Sequence, residues 1–295
     1  MRKLAFLEME ASAPFPSDDH LVFEPLREAG FEVTWVPWQR EGVDWGQFEM
    51  VVIRATYDYV EQPSLFLDRL TDIEASGVRL ANSSKLVRWN IDKTYLLALA
   101  EAGIPVVPTR LVACLDDATL RGYRDQFQCE SLVFKPAIGS SSYGILVWEP
   151  SGSSMLLPEI EARMAARAYL VQPFLESIRT FGEYSLFYFG ESFSHAVVKR
   201  PRTGDFRVQT EFGGTTCPVE PPVEAVALAE RCLAWVNDPL LYARVDVVQT
   251  PMGCLLMELE LVEPQLFLGT DPQAPAHFAL AIQSHLDGLA IKPSP

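Results

Sequence analysis

The stretch Arg244-Val-Asp-Val-Val-Gln-Thr-Pro-Met-Gly-Cys-Leu-Leu-Met-Glu-Leu-Glu-Leu-Val-Glu263 joins two runs of β-formers at Pro251-Met252-Gly253. Proline suits the first position of a turn and glycine the left-handed one. The spacing therefore predicts a hairpin with a three-residue loop, in which Thr250 pairs with Cys254 and Asp246 stands opposite Glu258. Side chains alternate along a strand, which puts Glu260 on the same face. Carboxylates set opposite one another repel, so three on one face require a cation between them, and Asp246, Glu258 and Glu260 read as a magnesium site. A solvated outer face carrying acidic residues would have the same pattern.

Upstream lies a second informative stretch, Ser131-Leu-Val-Phe-Lys-Pro-Ala-Ile-Gly-Ser-Ser-Ser-Tyr-Gly-Ile-Leu-Val147, a strand that runs into a loop of small residues and returns as a strand. Gly139 and Gly144 let backbone approach a ligand closely, Ser140, Ser141 and Ser142 supply hydroxyls and N–H donors, and Lys135 is a cation on the strand. Together they suit a polyphosphate, although a flexible surface hairpin would look alike. No GKS or GKT closes the loop and a strand follows it, so it is not a Walker loop. A helix is expected over 158–168. Tyr169-Leu-Val-Gln-Pro-Phe-Leu175 is a strand that Pro173 breaks, leaving neighbouring backbone groups free for a flat heterocycle. Strands Glu183 to Phe189 and Ser194 to Arg200 pair about Gly190, and a polar loop with Arg202, Asp205 and Arg207 follows. The helix from Val223 to Asn237 has Val226, Ala229, Leu233 and Val236 on one apolar face. An amphipathic helix over about Ala276 to Leu289 ends the pattern.

The first third alternates strands (Lys3 to Met9, Phe31 to Val36, Glu49 to Arg54, Val78 to Ala81) with helices, as in an open parallel sheet. Ligands of such sheets bind beyond the carboxyl ends of the strands, where Arg54, Thr56, Tyr57, Asp58 and Tyr59 fall. The tyrosines could equally pack the loop while Arg54 and Asp58 pair with each other. No GxGxxG follows Met9, which disfavours a dinucleotide-dependent oxidoreductase. Next, a helix around Ile91 to Ala102 opens with Asp92-Lys93, and Val106 to Val112 reads as a strand.

A formal net charge of -15 argues against nucleic acid or an anionic membrane as partner. The amino terminus has no sustained apolar run, and no later window reaches bilayer length, so a cytoplasmic protein is expected. Five scattered cysteines without a CxxC pair are expected to be reduced and mostly buried. The four histidines are dispersed and do not suggest zinc.

The order of these features resembles the ATP-grasp superfamily over essentially the whole chain, nearest the glutathione synthetase and ribosomal-protein glutamyl ligase type. Tyr57-Asp58-Tyr59, Trp89-Asn90-Ile91-Asp92-Lys93 and Met257-Glu-Leu-Glu-Leu-Val-Glu-Pro264 look like the branch that includes D-cycloserine synthetase. The fold implied is α/β, with α+β lobes. A pre-ATP-grasp open parallel sheet at residues 1–90 precedes a central lobe at 91–178 and a carboxyl-terminal lobe with the metal hairpin at 179–295. ATP would lie between the lobes with Lys93 and Lys135 on its phosphates and the loop from Gly139 to Gly144 closing over them. Gln172 and the backbone of Phe174 and Leu175 would hold adenine, and Glu183 the ribose. Lys199 and Arg207 would serve the transferring phosphate as catalytic residues, and Asp246, Glu258 and Glu260 would bind Mg2+. The implied activity is an ADP-forming, C–N bond-forming ligase or cyclase that activates a small amino-acid-like carboxylate, with cyclisation of O-ureido-D-serine in antibiotic biosynthesis as one instance. The alternative is an ATP-binding regulatory or scaffold protein without turnover. Monomer and homodimer both stay open. In the glutamyl ligases the metal strand ends in Glu-x-Asn and a Pro-Gly turn, whereas here Glu258-x-Glu260 runs into Leu261-Val-Glu263-Pro264. This departure leaves substrate preference open, with Glu263 either pairing a substrate ammonium group or satisfying backbone N–H groups.

Overall fold

A computed structural model describes residues 1–10, 17–112, 116–140, 144–150, 162, 164, 167–203, 205, 207, 208 and 213–288 of the 295-residue chain. Four parallel strands, β1 (Arg2–Glu8), β2 (Phe31–Pro37), β3 (Met50–Ala55) and β4 (Arg79–Ala81), form a sheet in the order β2-β1-β3-β4. Both faces are covered, which is why β3 is apolar along its centre and buried throughout. Helix Pro63–Ala75 packs Phe66, Leu70 and Ile73 on Leu7, Val51 and Ile53. The last helix, Ala274–Asp287, brings Phe278 and Ile282 to the other face, where Phe6, Met50 and Val52 lie. That same cluster contains Phe187, Phe189 and Tyr242 from the carboxyl-terminal sheet, so the two ends of the chain share one core.

A second sheet is antiparallel in the order β5-β8-β6-β7, from β5 (Arg110–Leu111), β6 (Leu132–Pro136), β7 (Leu146–Trp148) and β8 (Tyr169–Pro173). The strand expected from Val106 to Val112 is reduced to Arg110 and Leu111. Pro105 and Pro108 carry no N–H, and the backbone around Val106 pairs with Leu256 of the third sheet instead. Ser141, Ser142 and most of the helix expected over 158–168 lie outside the described residues.

The third sheet is antiparallel in the order β11-β10-β9-β12-β13, from β9 (Glu183–Phe189), β10 (Ser192–Arg200), β11 (Thr215–Pro218), β12 (Tyr242–Thr250) and β13 (Gly253–Glu260). Helix Val223–Val236 covers it with Ala225, Leu228, Ala229 and Cys232. The buried row therefore starts one residue before the expected one, and Val226, Leu233 and Val236 sit at its margin. Both rows are apolar, and only the sheet decides which faces in. Among the described cysteines only Cys232 is buried. Cys129 and Cys254 are half-buried and Cys217 is exposed on the edge strand β11, so the expectation of mostly buried thiols is corrected. Among the described residues no helix is long and apolar enough to cross a membrane.

The β12–β13 hairpin turns one residue earlier than predicted, with Thr250 opposite Gly253 across Pro251-Met252. The Thr250 hydroxyl accepts from Met252 N at 3.1 Å and donates to Gly253 O at 2.8 Å, a side-chain turn that stands in for the longer loop. A bulge at Met257 then shifts the register back, so that Asp246 does stand opposite Glu258 and Arg244 opposite Glu260.

Candidate active site

The face carrying Asp246, Glu258 and Glu260 looks into a cavity walled by the two antiparallel sheets, with Tyr57 and Tyr59 from the turn after β3 at its side. Its carboxylates do not meet each other. The Arg244 guanidinium, two residues before Asp246 and so on the same face, bonds Asp246 Oδ2 at 2.9 Å and also Glu260. Lys93 Nζ lies 2.8 Å from Glu258, and Lys199 Nζ lies 2.5 Å from Glu183 and 3.5 Å from Asp246. Among the described residues no group of three His, Cys, Asp or Glu side chains is gathered as a metal site. The cation that the hairpin's repulsion demanded is thus supplied in part by the chain. Arg244 went unread in the sequence although its spacing from Asp246 was the signal.

Charge is finely balanced here. Burial pushes the Asp246 carboxyl up, but Arg244 and Lys199 more than offset it and hold it down to about 2. Burial pushes Glu260 up to about 8, and repulsion from Glu258, Asp246 and Glu263 adds to this against the pull of Arg244. Lys135 is buried, has no carboxylate within ion-pair distance among the described residues, and is pushed down by burial.

Strand β8 ends at the cavity with Gln172, Pro173, Phe174 and Leu175 on its wall. The Gln172 side chain donates to Thr109 Oγ1 at 2.9 Å. Phe174 N already donates to Ser131 O and Leu175 O accepts from Ile178 N, so the Leu175 N–H is the donor this break offers. Gly182 precedes β9 with φ +83, and a Cβ there would lie 2.6 Å from Lys199 O, so only glycine allows the approach that sets Glu183 against Lys199. Lys93 Nζ also donates to Gly139 O at 2.6 Å, and Gly139 and Ser140 line the cavity, whereas Gly144 lies off it and accepts from the Tyr169 hydroxyl. Arg207 reaches the cavity with its guanidinium held by Asp205 at 2.9 Å.

The loop after β3 divides in two. Tyr57, Tyr59 and, from the far strand's exit, Glu263 line the cavity. Arg54, Thr56 and Asp58 are turned into protein and are absent from its wall. Arg54 is 1% exposed, ion-paired to Asp19 at 2.9 Å and bonded to Pro264 O at 2.8 Å, rather than paired with Asp58. Asp58 accepts from Trp38 Nε1 at 2.7 Å and from Gln39. The reason is geometric: the strand ends at Ala55 and the next turn winds as a short helix, Tyr57–Glu61, which exposes alternate faces to the cavity and the core.

Strand β13 is an edge strand, and side chains substitute for the missing neighbour. The Tyr95 hydroxyl accepts from Leu259 N at 2.8 Å and donates to Leu259 O at 3.0 Å. Asn90 Nδ2 donates to Leu259 O at 2.8 Å, Asn90 Oδ1 accepts from Leu261 N at 2.9 Å, and Asn82 Nδ2 donates to Leu261 O at 2.8 Å. These bonds pin the backbone that carries Glu258 and Glu260. Asn90→Ala leaves the buried Leu261 N–H unpaired and removes one of the two donors to Leu259 O, and should cost about 2 kcal/mol, measurable by urea unfolding with an unchanged slope.

Residues 4–82 match the family described as the D-cycloserine synthetase DcsG N-terminal domain. Over 302 residues the chain is 30% identical to the cycloserine biosynthesis protein DcsG of Streptomyces lavendulae, covering 96% of this chain and 98% of that protein. The chain belongs to the DcsG family. The crystal structure of D-cycloserine synthetase DcsG matches this fold with a TM-score of 0.84 at 28% identity, covering 96% of this chain and 99% of that one. The ATP-grasp ligase PsnB, solved with a phosphomimetic variant of its minimal precursor, Mg and ADP, matches in fold with a TM-score of 0.65 at 16% identity, covering 96% and 98%. This DcsG-family chain has the ATP-grasp fold and is an ATP-dependent ligase.

Proposed function

We propose that this DcsG-family ligase uses ATP to activate the carboxylate of an amino-acid-like substrate as an acyl phosphate, which a nitrogen then attacks with release of ADP and phosphate. O-ureido-D-serine, cyclised by its own nitrogen, is the substrate proposed from the likeness to D-cycloserine synthetase. The observation that carries the reading is the convergence of Lys93, Lys135, Lys199 and Arg244 on the carboxylate-bearing hairpin within one cavity. Phosphoryl transfer between two anions needs this concentration of cations.

In this reading Lys93 and Lys135 hold phosphates, with no carboxylate among the described residues ion-paired to Lys135 that a phosphate would have to displace. The Leu175 N–H and Gln172 border the adenine. Glu183 takes the ribose hydroxyls while staying bonded to Lys199, since a carboxylate has acceptor capacity for both. Lys199, Arg207 and Arg244 neutralise the transferring phosphoryl group. Mg2+ fits the Asp246, Glu258 and Glu260 face because three hard oxygen donors stand together there on the cavity wall. Held by those carboxylates, it would supply positive charge to neutralise the phosphates during transfer.

The test is purified protein with ATP, Mg2+ and O-ureido-D-serine, alongside a panel of D- and L-amino acids. ADP, phosphate and a cyclised or ligated product are expected. AMP and pyrophosphate would rule out the acyl phosphate. Tight ATP binding without turnover across the panel would favour a scaffold, for which the retained lysines and carboxylates give no support.

A further inference from the structure

The carboxylates along the cavity are ion-paired with one exception. Glu183 and Asp246 meet Lys199, Asp246 and Glu260 meet Arg244, and Glu258 meets Lys93. Glu263 is 8% exposed, lines the cavity, and has no Lys, Arg or His nitrogen within ion-pair distance among the described residues. The hydroxyls of Tyr59 and Ser140 face its carboxyl, Lys93 acts on it only from beyond ion-pair distance, and Tyr57 lies on the same stretch of wall. A buried carboxylate without a cation is costly, and such a group in a ligand cavity is accounted for when the cation arrives with the ligand.

From this geometry we infer that Glu263, with Tyr57 and Tyr59, forms a subsite for a substrate ammonium group that takes no part in the reaction. The inference rests on the ligase reading above and deepens it. A buried carboxylate attracts an ammonium ion by charge, the tyrosine oxygens beside it can accept from that ion, and an anion is repelled. Glu263 lies three residues beyond Glu260 on the same exit from β13, close to where the carboxylate would be activated. A substrate spanning the two has its ammonium and carboxylate near each other, as in a free α-amino acid. Held by Glu263, that nitrogen stays protonated and has no lone pair, so the attacking nitrogen must be another one. The subsite thereby excludes self-condensation through the α-amino group and leaves attack to a side-chain nitrogen or a second molecule.

The test compares O-ureido-D-serine with its counterpart lacking the amino group, 3-(ureidooxy)propanoate, in wild type, Glu263→Gln and Glu263→Asp, with ADP release as readout. Wild type should favour the amine-bearing acid by about a hundredfold in kcat/KM. Glu263→Gln should lose that preference through a raised KM for the amine-bearing acid, with the KM for ATP within about twofold and an unchanged thermal melt, and Glu263→Asp should restore part of it. Equal use of both acids by wild type, or retained preference in Glu263→Gln, overturns the subsite and leaves the ligase reading standing. If no acid gives ADP, the ligase reading has failed on its own. Calorimetric titration of the same two acids into protein with Mg2+ and a non-hydrolysable ATP analogue then decides the subsite. Amine-dependent binding lost in Glu263→Gln supports it, and equal or absent binding of the two acids overturns it.

Discussion

Glu258→Ala should lower the rate of ADP formation by about a thousandfold or more and weaken its dependence on Mg2+, with the protein still folded. The argument is one of charge. Glu258 stands directly opposite Asp246 and is bonded by Lys93, which also holds Gly139 O. Removing it takes a hard oxygen donor from the proposed metal face and leaves Lys93 with a changed position over the small-residue loop. Losing one cationic or metal-borne contact to a transferring phosphoryl group costs about this much in related chemistry. Glu258→Gln should reproduce most of the Glu258→Ala loss, because the amide keeps the shape and loses the charge. A Mg2+ titration of ADP release checks this, and an Mg2+ dependence identical to wild type would remove Glu258 from the metal face.

The second large effect is on stability. Arg244→Ala should cost about 3–5 kcal/mol, because it leaves Asp246 and part of Glu260 as buried charges without their shared partner. Urea unfolding measures it, and a loss near about 1 kcal/mol, the level of an exposed ion pair, would show that the face does not depend on Arg244. The pH dependence carries the same signature. The Asp246 carboxyl sits at about 2 in the folded chain against 3.8 unfolded, so its contribution is complete above 3.8 and fades as pH falls toward 2. Without Arg244 that contribution shrinks and the acid limb of the stability curve moves to higher pH. Added Mg2+ should raise the melting temperature of Arg244→Ala more than that of wild type, since the metal then meets carboxylates that no arginine holds.

Much of this fold was legible because its signals are local. An apolar β3, period-two strands and the Pro251-Met252-Gly253 turn each follow from neighbouring residues, and the order of motifs placed the chain in the ATP-grasp superfamily. Even the opposition of Asp246 and Glu258 was readable, although by two compensating departures: a turn one residue shorter and a bulge at Met257. A face pattern survives such a pair of shifts, whereas the turn type does not. Strand β11 was missed because four polar and small residues carry no periodicity, and the pairing with β10 alone makes them a strand.

By itself, then, the sequence determined which side chains share a strand face, since alternation is a property of the backbone: Asp246, Glu258 and Glu260 belong together wherever the hairpin goes. Tertiary structure alone decided what stands between and behind them. Lys93 reaches Glu258 from far along the chain, Asn82, Asn90 and Tyr95 complete the open edge of β13, and Arg54 and Asp58 turn away from the cavity they were expected to line. Those partnerships join residues up to two hundred positions apart, and no local propensity encodes them. They follow from how three sheets close on one another, which leaves Glu263 as the buried carboxylate on the cavity wall without a cation of its own among the described residues.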